Sequence, residues 1–502
     1  MNFETTRSDL IGYGWLVEHF SLNVCELLET SFHTGRTQRM VETDGIRSKT
    51  YYPKARYPLE STWSSHLRFA MRYEGVKFEV LKAFFLTVDE VDLVAFLREK
   101  PTSGLLRRIW FFYEFLTGRR LPLPDCAAGN YVDAVDADWQ LALPRSAAVK
   151  ERRYRVNRNL LGTSDFLPYV RLVMDAPDLS TTALQEQAEK LVSQYSSELL
   201  YRSVQYLYAK ETRSSFAIER ETPTQRHMNA FVSLLTDIPS RPLSRETLVS
   251  VQNQVVDPRY AQRSWRTSQV YVGETLTPLE ERVHYIAPRP NDLSSLMDGF
   301  LSALDMALAV PGQDPVVLAA AMSFAFVFLH PFDDGNGRVH RYLMHAVLAR
   351  LGFTPPHVLF PVSATLLKNP LLYDDMLESF SRRVMARLEY RMDAQGEIMV
   401  TQDSADFYRF IDYTPIVREF RRLLRETMET EWRGELDYLA WYDRIRSAMR
   451  GIVDMPDKKA NQFITFCQQN GGRLSKTKRP LFQELSDEEI ASLEAIVQGG
   501  AE

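Results

Sequence analysis

Between Val316 and Leu329 apolar residues face every direction of any helix drawn through them, with Ser323 the one polar interruption. Such a stretch predicts a helix buried in a domain centre, and its 14 residues fall short of the ~20 that a membrane span needs. A second helix is expected from about Arg338 to Arg350, closed by Gly352 as a C-terminal cap. Upstream, residues 183–221 repeat apolar positions at helical spacing without glycine or proline, which predicts one or two long helices. The texture changes at Ser264–Pro290, where β-branched and aromatic residues alternate around Gly273 and Pro278, the pattern of a short β-hairpin between helices. The last hundred residues alternate amphipathic helices, broken at Pro456 and Gly471–Gly472. The first 180 read as mixed helices and loops whose aromatic stripe, Trp110 to Phe115, belongs to a core. The pattern divides the chain into a mixed helical region over 1–180, a central domain over 181–395 and a C-terminal helical region over 396–502. The expected fold is mainly α-helical with one small β-hairpin.

Composition narrows the class. A chain of 502 residues, 45% hydrophobic and 25% charged, is long enough for about three domains and has the balance of a globular protein. With 60 basic against 65 acidic residues the net charge is −5, which argues against a protein that coats nucleic acid. Cys25, Cys126 and Cys467 are odd in number and far apart, so neither a disulfide framework nor a zinc cage is expected. The N-terminal stretch carries Glu4 and Asp9 and lacks the basic-then-apolar order of a secretory leader. The expectation is a cytoplasmic protein with no membrane segment.

The chemistry concentrates in His330-Pro331-Phe332-Asp333-Asp334-Gly335-Asn336-Gly337-Arg338-Val339-His340-Arg341. A buried helix ends there in a glycine-bearing turn that feeds a second helix. The first N–H groups of that second helix are unpaired and its dipole is positive, which makes an anion site. Arg338 and Arg341, three apart, leave one helix face and suit phosphate oxygens. Asp334 is a carboxylate fitted to hold one Mg²⁺ together with substrate phosphates. His330 has the side chain whose ordinary pKa suits a general base.

This run resembles the signature of the Fic family, HPFx[D/E]GNGRxxR, at every specified position. The resemblance implies a Fic-type helical bundle and transfer of AMP from ATP to a Tyr, Thr or Ser hydroxyl with release of pyrophosphate. It implies His330 as base, Asp334 as the Mg²⁺ ligand on the α- and β-phosphates, and Gly335, Asn336 and Gly337 as the anion hole. Arg338 would brace the β-phosphate and Arg341 the γ-phosphate, while Phe332 anchors the turn. Ser215 and Glu219, in the stretch 212–221, fit the family's inhibitory helix, [S/T]xxxE[G/N], whose glutamate pairs with the second motif arginine. Arg220 departs from it, standing where Gly or Asn is usual. Val283, His284, Tyr285 and Ile286 resemble the flap that holds a target segment by strand addition. Tyr373 resembles the position that packs on the nucleotide base, and a plain core tyrosine is the other reading. The partners implied are ATP, Mg²⁺ and a protein with an exposed hydroxyl, with a homo-oligomer left open. Three alternatives stay open: another nucleotide donor, removal of AMP, and a regulatory binding module with an inactive site.

Other motifs are missing or weak. There is no Walker A, GxGxxG or HExxH sequence, and the basic stretches at Arg152–Arg155 and 471–480 read as solvated faces.

Overall fold

The apolar run at 316–329 is realised as the central helix of a computed structural model. It describes residues 9–172, 176–238, 241–277, 280–355, 358–393 and 395–499. Pro278 and residues 1–8, both used above, lie outside the described residues.

In chain order, the first part holds β1 (Leu10–Ile11), α1 (Gly12–His19), β2 (Glu29–Thr34), β3 (Met40–Asp44), β4 (Arg47–Pro53), α2 (Trp63–Tyr73), α3 (Phe78–Thr87), α4 (Glu90–Arg98) and α5 (Gly104–Thr117). Then come β5 (Val132–Asp133), β6 (Val149–Glu151) and β7 (Val156–Arg158). The central part runs through α6 (Thr181–Val192), α7 (Ser197–Ile218), α8 (Gln225–Thr236), α9 (Arg245–Val255), β8 (Tyr271–Thr277), β9 (Glu280–Ile286), α10 (Pro290–Ala309), α11 (Pro315–Leu329), α12 (Asn336–Arg350), α13 (Val362–Lys368) and α14 (Pro370–Met385). The remainder is β10 (Tyr390–Met392), β11 (Ile398–Val400), α15 (Ala405–Arg409), α16 (Thr414–Glu426), a π-helical turn at Thr427–Trp432, α17 (Arg433–Arg450), α18 (Asp457–Gln468) and α19 (Asp487–Gly499).

The chain is mainly α-helical, with the expected hairpin at β8–β9. It is not the one sheet: β1-β2-β4-β3, β5-β7-β6 and β10-β11 form three more. Their strands escaped the sequence pattern because they are short and largely polar; β3 is exposed at four of its five positions. The aromatic stripe packs as expected, with Trp110, Phe111, Phe112 and Tyr113 of α5 buried in one cluster with Phe78, Phe84 and Phe85 of α3.

Local chemistry starts the helices. α6, α7, α8 and α9 each begin on a Ser or Thr (Ser180, Ser196, Thr224, Ser244) whose hydroxyl oxygen accepts the backbone N–H three residues on. α11 begins with Pro315, preset for a first turn, after Asp314, which accepts the N–H groups of Val316 and Val317. Nearly every side chain of α11 is buried, and α10, α12 and α16 surround it. The largest apolar cluster therefore includes Phe407, Tyr408, Ile416, Phe420 and Trp432 beyond residue 396. A separate small cluster joins the end of α17 to α18 and α19. α7 lies across this core against α8, α12, α13 and α17.

Asp314 also accepts the Thr181 hydroxyl at 2.7 Å, tying α6 to the start of α11. Replacing it, Asp314→Ala, should cost about 1–2 kcal/mol of stability, the value of a helix cap, with Asp314→Asn losing less. Denaturant unfolding of the three proteins measures it.

Candidate active site

α11 ends at His330, whose backbone is left-handed (φ 48°). That conformation costs most non-glycine residues roughly 1–2 kcal/mol, so it persists only where the surroundings impose it. Arg266 does so: its backbone N–H donates to the Pro331 carbonyl at 2.8 Å and its Nε to the His330 carbonyl at 2.7 Å. Asn336 braces the turn from inside, accepting the Phe332 N–H (3.0 Å) and donating to the Phe332 carbonyl (2.7 Å). Phe332 is fully buried between Trp265 and Phe326. Asp333 faces away from the helix pair and is held by Gln262 and Ser268.

The His330 ring places Nδ1 3.1 Å from the Val327 carbonyl. A carbonyl only accepts, so the ring proton sits on Nδ1 and Nε2 keeps its lone pair. Burial pushes the imidazole down to about 4, against the opposing pull of the Val327 carbonyl. The ring is therefore neutral at pH 7. It lines an open groove of about 1600 Å³ with Val272, Val283, His284, Val327 and Leu377.

The turn then enters α12 through Gly335 (φ 87°), where a Cβ would meet a Val256 methyl at 2.7 Å. Asp334 is 45% exposed, and its Oδ1 accepts the Gly335 N–H (2.6 Å) and Arg338 Nη2 (3.1 Å). One carboxylate with one oxygen already engaged fits a Mg²⁺ that takes few protein ligands. Among the described residues no group of three or more His, Cys, Asp or Glu could hold a metal alone.

Arg341 is wholly buried. Its Nε donates to Ser215 Oγ (2.8 Å), and its Nη2 donates to the Ser215 carbonyl (2.8 Å) and to Glu219 Oε1 (2.7 Å). Burial alone would raise the Glu219 carboxyl, but the Arg341 charge and hydrogen bond, with Arg338 behind them, hold it below the usual carboxylate range. The same carboxylate lies on the start of α12, where a Cβ on Gly337 would fall 2.1 Å from Glu219 Oε1. Glu219 thus occupies the anion position of the turn. Among the described residues Arg338 Nε and Arg341 Nη1 are buried without hydrogen-bond partners, so each guanidinium keeps a donor in reserve.

Residues 242–348 match the family model described as Fic/DOC family. This segment of the chain is similar to the Fic/DOC family. Proteins called protein adenylyltransferase Fic are similar to it: 42% identical over 91 residues in Aedes aegypti (18% of this chain, 16% of that one) and 40% over 94 residues in Culex quinquefasciatus (18% and 16%). The relative from Nematostella vectensis is 35% identical over 98 residues (19% and 20%). The chain spans a fifth or less of the length of these curated relatives. A solved Fic family protein from Desulfovibrio desulfuricans G20 is 18% identical with a TM-score of 0.35, over 62% of this chain and 87% of that one.

Against the Fic signature, Asp334, Gly335, Asn336, Gly337, Arg338 and Arg341 gather around one helix start, with His330 at the preceding turn. The Asn336 side chain is spent on Phe332, which leaves its backbone N–H for an anion. Of the flap residues, Ile286 is fully buried and Tyr285 donates its hydroxyl to the Phe328 carbonyl, so both anchor β9. Val283 and His284 line the groove. Tyr373 is half-buried, stacked on His340 at 6.2 Å, and burial lifts its phenol to about 12. The sequence reading missed Arg266, Gln252, Gln262 and Glu221, which reach the turn from distant segments with no local motif. The preference for Gly or Asn at position 220 has a physical explanation. The φ of 58° at Arg220 closes the end of α7 in the left-handed region, which Gly or Asn enters at least cost.

The free imidazole value of ~6.5 lies above the folded value of about 4, so between these limits the unfolded chain binds more protons. Stability should therefore fall as pH drops from about 6.5 to 4, and the Glu219 carboxylate adds to the loss on the acid side. Melting temperatures across that window check this, with a flatter slope expected for His330→Gln.

Proposed function

We propose that this chain is a protein adenylyltransferase that moves AMP from ATP onto a Tyr, Thr or Ser hydroxyl, restrained by Glu219. The observation that carries the reading is the Arg341–Glu219 pair over the start of α12, beside a neutral His330 with Nε2 bare. In this reading residues 181–395 are the catalytic domain, flanked by 1–180 and 396–502. A target segment lies along the β8–β9 flap with its hydroxyl at His330. Nε2 accepts the hydroxyl proton as the oxygen attacks the α-phosphorus, and the bond from that phosphorus to the bridging oxygen breaks. Pyrophosphate leaves with its charge held by Arg338, Arg341 and the α12 N–H groups, a preorganised set that needs little rearrangement. Mg²⁺ would supply further charge neutralisation at Asp334. Glu219 and a γ-phosphate compete for the same guanidinium, so the enzyme is slow until Glu219 is displaced. The names of the similar proteins support the reaction class. Among the described residues no helix is long and apolar enough to cross a membrane.

ATP labelled at the α- or the γ-phosphate tests the reaction. Only the α-label should reach protein, and His330→Ala should lower transfer by about 10²–10⁴-fold, the usual share of a general base, while ATP still binds. Label arriving from the γ-position, or no label even with Glu219→Gly, would refute AMP transfer.

Glu219→Gly should raise α-label transfer by about ten- to a hundredfold, the worth of a charge-assisted hydrogen bond. Arg341→Ala should lose activity, alone or combined with Glu219→Gly, because the phosphate clamp goes with the inhibitor. Rates that agree within twofold between wild type and Glu219→Gly, at equal Mg·ATP, would return Ser215–Glu219 to an ordinary helix end.

A further inference from the structure

The end of α7 brings a second carboxylate into the site. Arg220 N–H donates to the Ala217 carbonyl at 2.9 Å and Glu221 N–H to the Phe216 carbonyl at 3.1 Å, with Arg220 left-handed between them. This pair of backward bonds reverses the chain and closes the helix. The reversal carries Glu221 onto Arg338, whose Nη1 donates to Glu221 Oε2 at 2.7 Å. The same nitrogen donates to the Val255 carbonyl at 2.7 Å. Nη1 has two hydrogens, and both are engaged. Nη2 reaches Asp334 Oδ1, and the guanidinium carbon lies 5.1 Å above the Phe216 ring. Arg338 is 2% exposed, so its charge is satisfied inside the protein.

Glu219 and Glu221 therefore each hold a different motif arginine, and one left-handed residue between them sets both. We propose that Glu221 is a second latch on the nucleotide site, one that opposes the β-phosphate at Arg338 independently of Glu219 at Arg341. The proposal rests on the adenylyltransferase reading, which assigns β- and γ-phosphates to those two arginines. Arg338 Nε has no partner, so a phosphate meets competition where it binds through Nη1: there an oxygen takes a hydrogen only after Glu221 or Val255 gives it up, and the Glu221 side chain is the movable partner. The two carboxylates then sort nucleotides by phosphate number. Glu219 opposes triphosphates, Glu221 opposes any nucleotide with a β-phosphate, and neither opposes a monophosphate. Arg220 weakens both latches, because the closed arrangement keeps a bulky residue in a left-handed conformation. If it returned to right-handed helical angles, Glu221 would swing away from Arg338.

Calorimetric titration of the full chain with AMP, Mg·ADP and Mg·ATP tests this. Glu221→Gln should tighten ADP and ATP by about three- to tenfold, the range for a half-exposed carboxylate on a buried guanidinium, and leave AMP unchanged. Glu219→Gly should tighten ATP and leave ADP within twofold, and the double variant should tighten ATP at least as far as the stronger single variant, the two sites being close enough to couple. Arg220→Gly, which removes the left-handed penalty, should weaken ADP and ATP by about three- to fivefold. ADP affinity within twofold of wild type in Glu221→Gln, with its melting temperature preserved, overturns the latch. If Glu219→Gly transfers the α-label while ADP affinity does not move, the latch alone fails. If ADP tightens as expected but no variant transfers label, the enzyme reading fails and the latch stands as a gate on nucleotide binding. Failure of all three nucleotides to bind any variant overturns both.

Discussion

A guanidinium with no solvent exposure needs partners for its charge inside the protein, and Arg341 has a carboxylate among its partners. Arg341 stands on a helix buried along most of its length, against another that is apolar on every side. An unpaired charge there would cost several kcal/mol. Glu219 meets that requirement from α7, and a phosphate group would meet it equally well. In the proposed reading, inhibition and substrate binding would thus solve one electrostatic problem in two ways. The start of α12 adds its own preference for negative charge, and Gly337 lets the anion approach the backbone. A side chain at that position would collide with the carboxylate.

The same helix pair fixes His330. α11 is buried too completely to shift, so its last residue is set by the core, and Arg266 ties the following turn to the segment before the flap. Burial keeps the His330 ring neutral, while the Val327 carbonyl selects its tautomer. The reactive nitrogen, the anion position and the groove beneath β9 are thereby held by elements that pack on one core. Tyr285 makes the coupling direct, since its hydroxyl binds the carbonyl of Phe328 near the end of α11.

α7 is clamped well before its C-terminal end. Two turns before Glu219, the buried Glu211 carboxylate accepts His345 Nε2 at 2.8 Å and the Ser363 N–H at 2.9 Å. His345 lies one turn beyond Arg341 on α12, so the two helices meet at two successive polar contacts. The upper contact is sealed from solvent, while at the lower one Glu219 is 35% exposed. Release at the site then calls for movement of the last turn of α7 and its left-handed closure, and the rest of the helix can stay docked.

The helical class, the buried α11, the turn at 330–337 and the paired arginines on α12 were legible along the chain, because each is a local pattern. An all-apolar run has to be buried, glycines mark a turn, and residues three apart share a helix face. Ser215 and Glu219 were legible only through the resemblance to the family's inhibitory motif, whose spacing puts them one helical turn apart. The small sheets in the first 160 residues were not, since short polar strands carry no alternation to detect. Nor was Glu221, which has no spacing relative to Arg338 that a local rule could read. Its place depends on Arg220 turning left-handed and on α7 lying across α12, more than a hundred residues away in sequence. Local periodicity determines which face of each helix carries charge. Which charge meets which depends on how the helices cross, and that is decided by burial of the whole core.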